Sequence, residues 1–278
     1  MNVSEKNALD CLKKLVENYG CIGIKTSFED EGATFDDVVR IKELCIKAGA
    51  ELHLKIGGPE AIYDMKQAMV LGVQKIVAPM IESPFALKKF VSAYEKFVKP
   101  YQISPFFIGV NIESQLAMAQ LDQILKIPEC QKLSGMTIGR YDLACSMYLD
   151  RDGVDCDEMF FIAQAAFTKM KQQKHQTFMG GAISLGSLSF ISKLLEDRVL
   201  DFVETRYVIF SLTSGIEVLQ EGLKLAHQFE LALLKGRVER YQGMVHSDAQ
   251  RVQMIEKRIK QSGEDAVLPL ATSEMASL

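Results

Sequence analysis

The 278-residue sequence predicts one α/β domain, a parallel barrel wrapped in helices, with a helical extension at its C-terminal end. Three observations predict it. Short apolar runs alternate with amphipathic stretches along most of the chain, which is the pattern of successive βα units. No linker-like stretch interrupts them. The length suits one barrel, and a hydrophobic content of 48% is ample for a large core.

A helix opens the chain at about 4–19, with Leu9, Leu12 and Leu15 at helical spacing. CIGIKTSF (21–28) reads as a strand, and a helix over about 34–48 ends at Gly49. ELHLKI (51–56) is a strand, followed by a helix over 59–72. KIVAPMI (75–81) is a strand, followed by a helix over 84–98. FFIGVNIE (106–113) is a strand, with helix to about 126. GMTIGRYD (135–142) is a strand, with a helix at 157–173. QTFMGGAIS (176–184) is a strand, with a helix over 187–197. FVETRYVIF (202–210) is the last strand, and helix runs from about 214 onward.

These are seven βα units. A TIM-type (β/α)8 barrel needs an eighth strand, which the pattern does not display, so an open doubly wound sheet is the alternative. We divide the chain into the barrel (1–213), C-terminal helices that complete it and pack on a neighbouring subunit (214–262), and a flexible tail (263–278). Breaks are expected near Gly236 and Gly243.

The net charge is −4 and no basic run stands out, which argues against a nucleic-acid partner. No apolar stretch approaches the ~20 residues of a membrane span. The N-terminus, MNVSEKNALDCLKKL, lacks the apolar centre of a secretory leader. The six cysteines form no CxxC pair and read as reduced thiols of a cytoplasmic protein.

In a parallel barrel the chemistry lies at the carboxyl ends of the strands. The polar residues expected there are Glu29, Asp30 and Glu31; Lys55; Glu82; Asn111 and Glu113; Arg140 and Asp142; Ser184; and Glu204 and Arg206. Carboxylates dominate. A hard cation such as Mg²⁺ takes one or two of them and keeps positions for water or a chelating substrate. A 2-oxo acid would complete such a shell, and the cation would stabilise charge developing on the keto oxygen.

Three stretches in order carry a family resemblance: KIVAPMIES, VNIESQLAMAQLDQIL and MTIGRYDLACSM, with SFEDEGA as a weaker fourth. Over roughly residues 20–210 the chain resembles the HpcH/HpaI aldolase and citrate lyase β-subunit family of the phosphoenolpyruvate/pyruvate barrels. The resemblance implies Glu113 and Asp142 as ligands to Mg²⁺ or Mn²⁺. It implies a substrate carboxylate received around Gly139, Arg140, Tyr141 and Asp142. It also implies a metal-dependent carbon–carbon lyase that joins a 2-oxo acid to a carbonyl acceptor or releases it. A citrate-lyase-like enzyme acting on an acyl-CoA or oxaloacetate-type substrate is one alternative, and a non-catalytic barrel subunit of a larger complex is another. A homo-oligomer is expected.

Two departures matter. Lys55 stands where the family places a substrate-orienting Arg, and Lys lacks the planar fork of a bidentate contact. The strand-end His of the aldolase branch has no counterpart in SFEDEGA, so Glu29, Asp30 or Glu31 would have to serve instead.

Each candidate has a structural alternative. Glu113 and Asp142 are also what helix caps look like. Lys55 would pair with Glu29 or Glu82. Glu82 precedes Ser83-Pro84, a natural helix start. Arg140 either reads a second anionic group of the substrate or pairs with Asp142. Glu204 and Arg206 have equal parity on one strand and would face the same way, as substrate contacts or as a mutual ion pair. His53 shares a face with Lys55 and reads as a hydrogen-bonded core residue. Lys25 suggests Schiff-base chemistry only weakly, since that chemistry has no use for the Glu113/Asp142 pair.

Overall fold

A computed structural model describes residues 1–29, 31–101 and 106–261. Asp30 lies outside the described residues, as does the expected tail.

The strands are β1 (Cys21–Ser27), β2 (Glu51–Lys55), β3 (Lys75–Ala78), β4 (Phe107–Ile112), β5 (Gly135–Gly139), β6 (Gln176–Gly180), β7 (Phe202–Glu204) and β8 (Val208–Ser211). They pair in sequence order into a closed barrel. Strands β1 to β7 run parallel, whereas β8 is antiparallel to both β7 and β1. The eighth strand therefore lies inside FVETRYVIF, which reads in the sequence as one strand and folds as a hairpin. Thr205 closes the turn: its N–H donates to the Val208 carbonyl at 2.9 Å, and its hydroxyl accepts from the Val208 N–H at 2.9 Å.

The helices are α1 (Val3–Asn18), α2 (Phe35–Ala48), α3 (Ile62–Leu71), α4 (Pro84–Phe97), α5 (Gln115–Lys126), α6 (Arg140–Ser146), α7 (Asp157–Gln172), α8 (Leu188–Glu196) and α9 (Ile216–Gln261). Side chains fix several of their starts. Asn2 with Glu5, and Thr34 with Asp37, form reciprocal caps at α1 and α2. Ser83 and Ser114 cap α4 and α5. Helix α6 begins where the sequence pattern continues a strand, so GMTIGRYD is strand only to Gly139.

The apolar core lies between strands and helices. Leu52, Leu54, Ile76, Val110, Ile112, Met136 and Ile138 are buried there, each worth about 1.5–3 kcal/mol of transfer free energy. The barrel interior is different. Lys25, His53 and Lys75 are cross-strand neighbours on β1, β2 and β3 and share a face. Burial pushes the Lys75 amine down to about 8. Its ammonium rests 3.8 Å from the centre of the Phe178 ring, and Phe178 stacks on Phe202. Barrels usually fill this space with branched aliphatic residues.

Helix α9 runs unbroken over the two glycines expected to interrupt it. Gly236 is there for close approach: a Cβ at that position would lie 2.9 Å from Cγ of Glu5 on α1. Arg240 pairs with Glu5 and, at 2.8 Å, with Asp37, while Tyr241 donates to Asp37 at 2.8 Å. This cluster ties α9 to α1 and α2. From residue 241 to 261 no residue of the helix is buried. Among the described residues, no helix is long and apolar enough to cross a membrane.

Candidate active site

A cavity of about 540 Å³ opens at the carboxyl ends of the parallel strands. Strand β1 and the segment after it contribute Lys25, Ser27 and Glu31, and β2 contributes Lys55. Asn111 and Glu113 come from β4 and its end, Thr137, Gly139, Tyr141 and Asp142 from β5 and α6, and Gly180 from β6. The β7–β8 turn adds Thr205 and Arg206, and α9 adds His227 and Glu230.

Glu113 is 2% exposed and sits in the residue after β4. The Met80 N–H donates to Oε1 at 3.1 Å and the Asn111 amide donates to Oε2 at 3.0 Å. Burial pushes its carboxyl up, and the Asp142 charge adds to that. The Lys55 charge and the two hydrogen bonds oppose the rise without cancelling it. Strand β5 leaves room for this carboxylate only because position 139 is glycine: a Cβ there would collide with Glu113. Asp142 stands in the first turn of α6, on the neighbouring strand's side of the same cavity.

Lys55 is 7% exposed and forms a 2.9 Å ion pair with Glu29. Glu29 thus meets the cavity through Lys55, not as a wall of it. Glu31 accepts from the Thr26 hydroxyl at 3.2 Å and lies 3.9 Å from Nε of Arg206. Glu204 does not pair with Arg206. The strand ends at Glu204 and the turn breaks the alternation, so Glu204 lies in the interior, 3.0 Å from the Lys25 ammonium, while Arg206 reaches the rim. Glu82 accepts from the Ser114 hydroxyl and so braces the cap of α5. Ser184 caps its own turn, donating no group to the cavity wall. His53 is held by Glu51 at 2.8 Å, and burial pushes its imidazole down.

Arg140 differs from its sequence expectation. Its side chain is fully buried, outside the cavity lining, with the guanidinium 4.8 Å from the centre of the Phe190 ring. It pairs with Asp155 and donates to the carbonyls of Val154 and Gly181, each at 3.1 Å, and to the Ser187 hydroxyl at 3.3 Å. As the first residue of α6 it points behind the site and neither faces Asp142 nor reaches a ligand. Helix α6 has only seven residues, so its dipole contributes little to anion binding.

His227 and Glu230 were not legible as site residues. A lone His on a polar helical face has no motif, and only the path of α9 across the cavity brings it there. A second depression of about 430 Å³ opens at the opposite end of the barrel, beside Asp201. That carboxylate is already taken by Lys171 at 2.8 Å and by the Thr177 N–H at 2.9 Å.

Comparison with family models gives a match to HpcH/HpaI aldolase/citrate lyase over residues 47–182. Over that segment the barrel resembles this family. The matched segment runs from the end of α2 to the end of β6 and contains Lys55, Glu113 and Asp142. Solved structures with a similar fold include an HpcH/HpaI aldolase/citrate lyase family protein from Burkholderia cenocepacia J2315. It is 14% identical, with 72% of this chain and 83% of that chain covered and a TM-score of 0.56. An HpcH/HpaI aldolase from Desulfitobacterium hafniense DCB-2 is 13% identical over 72% and 82% of the two chains, with a TM-score of 0.56. The citrate synthase SbnG is 11% identical over 88% and 90%, also with a TM-score of 0.56. At these identities the likeness establishes the fold. Comparison with curated proteins gave no match.

Proposed function

We propose that the chain is a lyase of the aldolase type that holds one divalent cation between Glu113 and Asp142 and cleaves or forms a carbon–carbon bond beside a 2-oxo acid. The observation that carries this reading is that these two carboxylates line one cavity, with Glu113 buried and its charged form disfavoured both by burial and by the Asp142 charge. A cation relieves both penalties. Among the described residues no group of three or more His, Cys, Asp or Glu side chains is gathered to hold an ion. Two carboxylates fit Mg²⁺ or Mn²⁺ sharing its shell with water and substrate.

When bound, the cation supplies Lewis-acid polarisation of the keto oxygen. The protein residues do the rest. Asn111 and the Met80 N–H fix the Glu113 carboxylate, and Gly139 leaves it space. Lys55 places a positive charge beside Glu113, where the keto oxygen of a chelating substrate gains negative charge on the way to the enolate. Tyr141, Thr205 and Arg206 bound the side of the cavity left for the carbonyl acceptor. The outer part of α9, residues 241–261, serves in this reading as an arm that packs on a second copy of the chain.

The test is release of pyruvate or another 2-oxo acid from 4-hydroxy-2-oxo acids, measured after EDTA treatment and after adding back Mg²⁺ or Mn²⁺. The expected result is loss in EDTA and recovery with metal. Full activity in EDTA rejects the proposal.

A further inference from the structure

We propose that His227 is the proton carrier of this reaction, a general base brought to the cavity by α9 and not by a barrel strand. The inference rests on the lyase reading above.

Cleavage of a 4-hydroxy-2-oxo acid requires a group that takes the hydroxyl proton. As that O–H bond breaks, its electron pair forms the carbonyl of the released aldehyde or ketone. The C3–C4 bond breaks, and its pair moves toward C2 to give the enolate of the 2-oxo acid. The proton then returns to C3 of the enolate. Reactant and products balance without any co-reactant.

Several of the other ionisable groups on the cavity are committed, while Glu230 and Tyr141 line it beside His227 without a part assigned to them. Glu113 and Asp142 are the proposed ligands. Lys25 is held by Glu204 at 3.0 Å and Lys55 by Glu29 at 2.9 Å. Glu31 lies beside Arg206. Among the four histidines, His53 is buried against Glu51, His175 contacts Cys130, and His246 bonds Gln250 on the arm. His227 alone lines the cavity.

Its placement is built into α9. Leu223, Ala226, Phe229 and Leu233 are buried along one face of the helix, and Phe229 packs edge-on against Tyr207 beside the β7–β8 turn. That face fixes the rotation of the helix, so His227 and Glu230, three residues apart, flank it together on the cavity side. The His227 ring is exposed and makes no hydrogen bond or ion pair with the described residues. Both ring nitrogens are therefore available to a ligand. The charged groups that line the cavity with it are Glu230 on its own helix, Arg206 from the turn, Glu31 after β1, Lys25 and Lys55 on β1 and β2, and Glu113 and Asp142. Imidazole is the side chain that changes charge in the range of about pH 5 to 8, which suits it to accept and return a proton near neutrality.

The experiment compares wild type with His227→Gln, using the same 4-hydroxy-2-oxo acid with Mg²⁺, together with deuterium incorporation into the methyl group of pyruvate in D₂O and binding of oxalate. His227→Gln should lower kcat/KM by about 10²–10³-fold and remove the acidic limb of the pH profile. Metal-dependent oxalate binding and thermal melting should be unchanged. In the wild type, the His227 ring proton resonance should shift when oxalate is added. A wild type that cleaves the substrate, with a variant that keeps kcat/KM within a few-fold and the same pH profile, overturns the role of His227 alone. A wild type that neither cleaves the substrate nor exchanges the pyruvate methyl protons overturns the lyase reading and this inference with it.

Discussion

Replacing Arg140 by methionine separates a buried structural guanidinium from a substrate contact. The side chain has no exposure, pairs with Asp155, and donates three further hydrogen bonds, one of them to the Gly181 carbonyl behind the cavity wall. Breaking a buried ion pair by removing one partner costs about 3–5 kcal/mol. Two features reduce that figure here. The Asp155 side chain is 29% exposed, so water resolvates part of the orphaned carboxylate. The Arg140 Nε–H has no partner among the described residues, so removing it relieves a desolvation penalty. A loss of about 2–3 kcal/mol remains, which for a chain of this size lowers Tm by roughly 5 °C. Thermal and urea unfolding followed by circular dichroism measure it. Metal-dependent oxalate binding by the folded variant should stay within a few-fold of wild type. An Arg140→Met variant with unchanged stability and abolished oxalate binding would refute the reasoning and return Arg140 to the substrate.

Two further outcomes are expected. Lys75, buried in the barrel, has a folded pKa of about 8, below the unfolded value of 10.5. The unfolded chain therefore binds more protons between those values, so this group's contribution to stability rises with pH across that window by about 3 kcal/mol. The stability advantage of Lys75→Met over wild type should accordingly be largest below pH 8 and shrink toward pH 10.5; a pH-independent difference in urea melts would contradict a charged, desolvated Lys75. Truncation after Gly243 removes helix that buries nothing against its own barrel, so the melting temperature should hold while sedimentation velocity shows a smaller assembly, and an unchanged assembly would remove the arm's proposed role.

Most of the barrel was legible because apolar β-branched runs and helix caps agree locally with the fold, as Ser83-Pro84 and Ser114 show at α4 and α5. The hairpin was not. Its turn uses Thr205-Arg206-Tyr207 with no glycine or proline, and the hydroxyl of Thr205 makes the closing bonds. Losing that turn also misplaced Glu204 relative to Arg206. Glu113 and Asp142 were legible as strand-end carboxylates, and the fold brings them to one cavity. Arg140 was misread because α6 starts one residue after β5 and swings its side chain behind the wall. His227 was invisible because helical periodicity reports which face is buried, not what an overlying helix crosses.

In the proposed reaction Glu113 and Asp142 share one cation. Calorimetric titration of Mn²⁺, with and without oxalate, into the wild type, Glu113→Gln and Asp142→Asn tests it most directly. One site per chain is expected in the wild type, tightened by oxalate, with each substitution weakening it at least ten-fold. Binding that survives both substitutions intact, or no binding to the wild type even with oxalate present, would contradict it.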